Sequence, residues 1–169
     1  MTDLIDAGLI DAGLIDTEMA ASAAARMPRH PVTGTGAHLV PDAAGGFVFY
    51  FLRADGTVQA EGSKPEVGSR FSEHRVYDRN GWATQEQVTN PYGHPGFEVR
   101  REFCPGAGLR SELWVRLAGN TVCDPDAETP AVRTFDVDGA VTAAASYPDG
   151  VAAQTVKGTR RWHSTAEYL

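Results

Sequence analysis

Hydrophobic and polar positions alternate through much of the chain after residue 46, and tight-turn signals punctuate the alternation. Asp55-Gly56, Asn80-Gly81, Asp138-Gly139 and Asp149-Gly150 each separate two runs of strand character. Asn-Gly and Asp-Gly favour two-residue type I′ turns, which need positive φ at both central residues. Recurring through residues 55–150, they predict an antiparallel meander.

The strands can be paired one by one. Phe47 to Arg53 is apolar on both faces and turns at Asp55-Gly56 into Thr57–Glu61. Such a strand is covered on both sides or lies inside a closed sheet. Arg70–Asp78 turns at Asn80-Gly81 into Trp82–Val88. A two-residue loop there sets Arg79 against Trp82, Tyr77 against Thr84 and Arg75 against Glu86, the last an opposite-charge pair.

Phe97–Phe103 and Leu109–Leu117 flank Cys104-Pro105-Gly106-Ala107-Gly108. Pairing Phe103 with Leu109 sets Val99 against Leu113 and Phe97 against Val115 on an apolar face. The other face then sets Glu102 against Arg110, Arg100 against Glu112 and Glu98 against Trp114. Ala131–Val137 turns at Asp138-Gly139 into Ala140–Tyr147. Asp149-Gly150 leads into Val151–Val156, and Lys157-Gly158 into Thr159–His163. This spacing predicts an all-β fold, an antiparallel meander closing into a small β-barrel of about 8–10 strands.

Residues 1–36 read as a leader and residues 37–169 as the barrel domain. The leader opens on a repeat, Leu4-Ile5-Asp6-Ala7-Gly8, Leu9-Ile10-Asp11-Ala12-Gly13, Leu14-Ile15-Asp16. A five-residue period advances a helix by roughly 140°, so the Leu-Ile pairs spiral and form no single stripe. The repeat loosely resembles the pentapeptide-repeat solenoids. It reads as a flexible tail, or as a segment lying across a barrel mouth or a neighbouring subunit. Met19 to Arg26 is Ala-rich enough for a short helix, which Pro28, Pro31 and Thr33-Gly34-Thr35-Gly36 end.

Composition narrows the function classes. With 169 residues, 42% apolar and 22% charged, the chain is long enough to bury a core. A net charge of −7 disfavours nucleic acid and anionic lipid as partners. No apolar run approaches a membrane span. The acidic start, without Lys or Arg before Arg26, does not read as a secretory signal, so the expected location is cytoplasmic. Cys104 and Cys123 read as free, small apolar residues, with a bridge between them left open.

The five histidines, His30, His38, His74, His94 and His163, show no metal-ligand spacing, and no metal or cofactor is expected. Asp124, Asp126 and Glu128 alternate like part of a calcium loop but lack its glycine and distal glutamate, and read as a solvated acidic loop. The polar positions of the middle strands are Glu73, Arg75, Tyr77, Trp82, Glu86, Glu98, Arg100, Glu112, Trp114 and Arg116. They form a solvent face with cross-strand ion pairs, or an aromatic-lined lumen. In the lumen reading the ligand-binding residues are Tyr77, Trp82, Arg100, Glu112 and Trp114, with no catalytic residue assigned.

Val67-Gly68-Ser69-Arg70-Phe71-Ser72-Glu73, followed by Val76-Tyr77-Asp78-Arg79-Asn80-Gly81, resembles the start of the barrels related to allene oxide cyclase. The spacing is equally similar to lipocalin-like calycin barrels, and the turns resemble those of Tyr-Asp or MORN-type hairpin-repeat proteins. The barrel resemblance implies a hydrophobic small-molecule partner and a cyclase or isomerase of secondary metabolism that positions its substrate in an apolar lumen. The competing class is a non-enzymatic interaction protein, an immunity or structural hairpin-repeat module. A homodimer is compatible with either.

Overall fold

A computed structural model describes residue 23 and residues 25–152. The repeat at residues 1–18, the strand expected beyond Ala152 and the one at Thr159–His163 lie outside the described residues. Of the Ala-rich stretch, residues 23, 25 and 26 are helical, and Met27 N–H donates to the Ala23 carbonyl at 3.1 Å.

The described residues form eleven antiparallel strands. They are β1 (Gly36–Pro41), β2 (Phe47–Leu52), β3 (Val58–Lys64), β4 (Glu73–Tyr77), β5 (Ala83–Thr89), β6 (Phe97–Cys104), β7 (Gly108–Arg116), β8 (Thr121–Val122), β9 (Val132–Phe135), β10 (Val141–Ala145) and β11 (Val151–Ala152). The predicted all-β antiparallel meander is present. From β1 to β7 each strand pairs with its sequence neighbours. Then β8 and β9 share the free edge of β7, β8 at Val115–Arg116 and β9 at Ser111–Leu113. β10 pairs β9 and β11 pairs β8. The last hairpin of the meander is therefore interrupted by the loop at 123–131 and the turn at 146–150. Among the described residues no hydrogen-bonded pairing joins β1 to β10 or β11.

The turns differ from the expected two-residue type. In the first, Arg53 N–H donates to Thr57 O at 2.9 Å and Gly56 N–H to Arg53 O at 2.9 Å. Asp78–Trp82 and Asp136–Ala140 close in the same way, and so does Asp42–Gly46 between β1 and β2. Each is a three-residue loop in which the glycine takes positive φ and the preceding Asp55, Asn80 or Asp138 does not. This is a type I turn completed by a left-handed glycine. Asp78 Oδ1 reinforces its loop by accepting from Asn80 N–H at 2.8 Å and Trp82 N–H at 2.9 Å. Asp136 Oδ1 does the same for Asp138 and Ala140, at 3.0 and 2.8 Å.

Three residues after each of three turn glycines the returning strand bulges. The extra residues are Gln59, Thr84 and Thr142. A bulge adds one residue to one strand and shifts all pairing beyond it. Arg75 does face Glu86, because the longer loop and the bulge at Thr84 shift the register in opposite senses and cancel. Tyr77, nearer the turn, faces Ala83 rather than Thr84. In the third hairpin Phe103 does face Leu109, but a bulge at Arg110 displaces everything beyond. Arg100 faces Leu113, Arg101 faces Glu112, Val99 faces Trp114 and Glu98 faces Val115. The expected pairs Arg100–Glu112, Val99–Leu113, Phe97–Val115, Glu102–Arg110 and Glu98–Trp114 are corrected accordingly.

Both faces of the sheet are covered locally. On one, Phe71 packs on Phe49 and Ala60, with ring centroids of Phe49 and Phe71 5.1 Å apart. On the other, Leu52, Val58 and Tyr77 cluster beneath Val32. Val99, Leu113, Trp114, Val115, Val122 and Ala131 make a third cluster at the forked end. The expectation that Phe47 to Arg53 is covered on both sides holds, with Phe49 and Leu52 buried in different clusters.

Segment 26–32 crosses the hairpin tips. The Arg26 guanidinium stacks 4.5 Å from the Trp82 ring and donates from Nε to Asn80 O at 3.0 Å. The His30 ring nitrogens lie 2.9 Å from Val32 O and 3.1 Å from Gly56 O.

Candidate functional site: a transverse charge ladder

One residue from each of eight strands lines up across the sheet: His38, Tyr50, Glu61, Arg75, Glu86, Arg101, Glu112 and Arg133. Cross-strand neighbours share a face, so these side chains form one row. From Glu61 onward the charge alternates at every strand.

From Arg75 to Arg133 the row is continuously bonded. Arg75 reaches Glu86 Oε1 at 2.8 Å. Arg101 bridges Glu86 Oε2 and Glu112 Oε2, each at 2.9 Å. Arg133 pairs with Glu112 Oε1, which also accepts the Trp114 indole N–H at 2.9 Å. At the other end the Tyr77 hydroxyl donates to Glu61. The carboxylates are the buried members, 12% exposed at Glu86 and 4% at Glu112, and the guanidiniums the more exposed ones, 48% at Arg75 and 30% at Arg101 and Arg133.

Burial alone would push the Glu86 and Glu112 carboxyls up. Hydrogen bonds outweigh it, from Arg101 and Arg75 to Glu86, and from Arg133, Arg101 and Trp114 to Glu112. Both carboxyls end below the ordinary range. Burial, then the bond to Glu61, pushes the Tyr77 phenol up. None of these three shifts brings its group toward neutral pH, where a proton-transfer catalyst works best. Buried ion pairs add little net stability against apolar alternatives, but removing one partner is expensive, so a register that separates Glu86 or Glu112 from its guanidiniums is penalised.

The five residues expected to line one lumen are divided. Tyr77, Glu112 and Trp114 share the ladder face, but Tyr77 and Trp114 stand on β4 and β7, three strand spacings or about 14 Å apart across the sheet, and on opposite sides of the row along the strands. Trp82 sits at a hairpin tip between Arg26 and Gly106. Arg100 is on the opposite face, where its Nε lies 2.5 Å from Glu98 Oε1. Glu98, 1% exposed, also accepts from Gln87 Nε2 at 2.7 Å. The sequence reading passed over Glu61, Arg101 and Arg133. Arg101 enters the row through the bulge at Arg110, which falls four residues after Gly106 and not at the three-residue offset of the other hairpins.

The acidic loop is exposed at Asp126 and Glu128, as expected of a solvated loop, and is pinned to the sheet at Asp124. Asp124 Oδ1 accepts from Ala131 N–H at 2.7 Å and Tyr147 N–H at 2.9 Å. Asp126 caps Glu128 N–H and Thr129 N–H at 2.9 and 2.7 Å, and these bonds lower its carboxyl. Cys104 and Cys123 are both free. Among the described residues no three His, Cys, Asp or Glu side chains gather as metal ligands.

A depression of about 140 Å³ opens beside the first half of the ladder, lined by Val48, Glu61, Gly62, Ser63, Glu73, His74 and Arg75. No helix among the described residues is long and apolar enough to cross a membrane. No protein-family model, no curated protein and no solved structure matches the chain.

Proposed function

We propose that the protein is a non-enzymatic interaction module built from repeated β-hairpins. The observation that carries this reading is the recurrence of one hairpin design. Gly56, Gly81 and Gly106 follow at intervals of 25 residues, each in the turn at the same end of a hairpin. Gly139 comes 33 residues later, and the loop at 123–131 lies within that longer interval. The three-residue loop and the bulge three residues after its glycine recur at Gly56, Gly81 and Gly139, while in the Gly106 turn Ala107 holds the equivalent position and the bulge falls at Arg110. Repeated hairpins stacked side by side give an extended surface, and extended surfaces suit macromolecular partners. The ladder supports the reading, since its carboxylates are neutralised by guanidiniums and serve to hold strands in register.

The depression favours a small-molecule partner less. Ligand pockets for drug-sized molecules run to about 300–1,000 Å³, well above the 140 Å³ here. The second reading keeps the small β-barrel: side chains of β1 and the β10–β11 edge meet, and a lumen holds a hydrophobic substrate for cyclisation or isomerisation. A thermal-shift screen against hydrophobic small molecules separates the two. The interaction reading expects no compound to stabilise the protein. A compound raising Tm by about 4 °C or more, with the effect lost in Ser63→Phe, which fills the depression, would replace it with the small-molecule reading.

A further inference from the structure

We infer that the outer edge of β10 is a docking site for an extended, lysine- or arginine-flanked segment of a partner protein, which adds to the sheet as a strand. The inference rests on the interaction reading above and names the surface and the partner's chemistry.

Among the described residues β10 pairs only with β9. Its sequence, Val141-Thr142-Ala143-Ala144-Ala145, holds no charge, no proline and no glycine, and its first four residues are exposed. Folded proteins ordinarily protect such an edge with lysine, proline or a cover, because its free N–H and C=O groups template another strand. The opposite edge, β1, carries Pro41, which has no N–H to offer, and most of its residues are half-buried. The two edges are therefore treated differently. Small alanine side chains on both faces of β10 also let a second backbone approach without steric cost.

Charge selects the occupant. Between Leu117 and Ala152 the chain carries six carboxylates, Asp124, Asp126, Glu128, Asp136, Asp138 and Asp149, against the single guanidinium of Arg133. Arg133 is already spent on Glu112. This stretch thus holds five of the seven net negative charges. Asp136 and Asp138 sit in the turn before β10, and Asp149 in the turn after it. A second copy laid antiparallel along β10 would set the Asp136–Asp138 turn beside Asp149 of the first, like charge against like. An incoming strand with cationic ends meets carboxylates at both.

The test uses the full chain and a fluorescent peptide of alternating threonine and valine, about ten residues long, with two lysines at each end. A glutamate-ended analogue and a lysine-ended analogue with a central proline serve as controls. Anisotropy should show the lysine-ended peptide binding, with both analogues at least about tenfold weaker. Ala143→Pro and Ala144→Pro are made separately. Successive N–H groups of an antiparallel strand point to opposite edges, so one variant blocks the free edge while the other disturbs pairing with β9. The variant that keeps the wild-type melting temperature should abolish binding. The inference is overturned by absence of binding, by equal binding of the three peptides, or by binding that survives in that variant. It is also overturned if sedimentation shows a wild-type dimer lost in the same variant, since a second copy is then the occupant. Absence of peptide binding with no small-molecule stabilisation removes β10 alone and leaves the interaction reading standing.

Discussion

Gly62 shows how one missing side chain shapes the sheet. A Cβ there would come within 2.5 Å of Glu73 O and 2.9 Å of the Phe71 ring. The Phe71 ring therefore brings its Cδ1–Cε1 edge against bare backbone, while it stacks on His74 at 4.6 Å and takes the Lys64 ammonium over its face at 4.6 Å. Gly62→Ala must push β3 from β4 or lift Phe71, and either should cost about 2 kcal/mol, as overpacking does. Gly68→Ala, where nothing lies within 4 Å, should be close to neutral. Urea unfolding of the two variants checks this, and equal stability would show that Phe71 does not press on Gly62.

At the scale of the element, the hairpin tip is the repeated unit, and its glycines carry unequal burdens. Gly139 takes a φ of +82° with open space around it. Alanine there pays only the left-handed backbone penalty, about 1 kcal/mol. Gly81 has a similar φ of +79°, but a Cβ would also meet Arg26 Cβ at 2.9 Å, Met27 N at 3.0 Å and Ala23 O at 3.1 Å. Gly81→Ala should cost more than Gly139→Ala and should lift the crossing segment from Trp82. Limited trypsin digestion reads this directly, with faster cleavage at Arg26 and Arg29 in Gly81→Ala and unchanged cleavage in Gly139→Ala. Equal rates in both variants would mean that the segment is held elsewhere.

For the whole molecule, the ladder sets the response to acid. Glu86 and Glu112 have folded values lowered below the ordinary carboxylate value, so the folded state binds fewer protons than the unfolded chain. Their stabilisation is fully present above the unfolded value, about pH 4.3, and is lost as pH falls through the folded values. The urea midpoint, followed by tryptophan fluorescence, should therefore hold from neutrality to about pH 5 and fall below about pH 4.3. Glu112→Gln should flatten that acid limb while lowering stability at neutral pH. Stability that rises on acidification below pH 4 would show that the ladder carboxylates gain nothing from their guanidiniums.

The period-two pattern and the turn glycines determined that this chain is an antiparallel β-meander, and where most of its hairpins lie. Both are local properties, readable from a few neighbouring residues. They placed Phe103 against Leu109, next to its turn, and Arg75 against Glu86 through two displacements that cancel. β1 escaped notice because its loop, Ala43-Ala44-Gly45, has the same geometry without the Asn or Asp that announces it. β8, two residues long, is too short to show any alternation. The candidate site was legible only as a set of charged and aromatic residue types. Its membership turned on the bulge at Arg110, a single extra residue that exchanges Arg100 for Arg101 opposite Glu112 and so decides which of the two arginines shares the face of that carboxylate. Tertiary structure alone decided that exchange. A strand tolerates a bulge wherever the chain beyond it finds better partners, and Glu112 found Arg133 and Arg101 on two different strands, at distances no local pattern encodes.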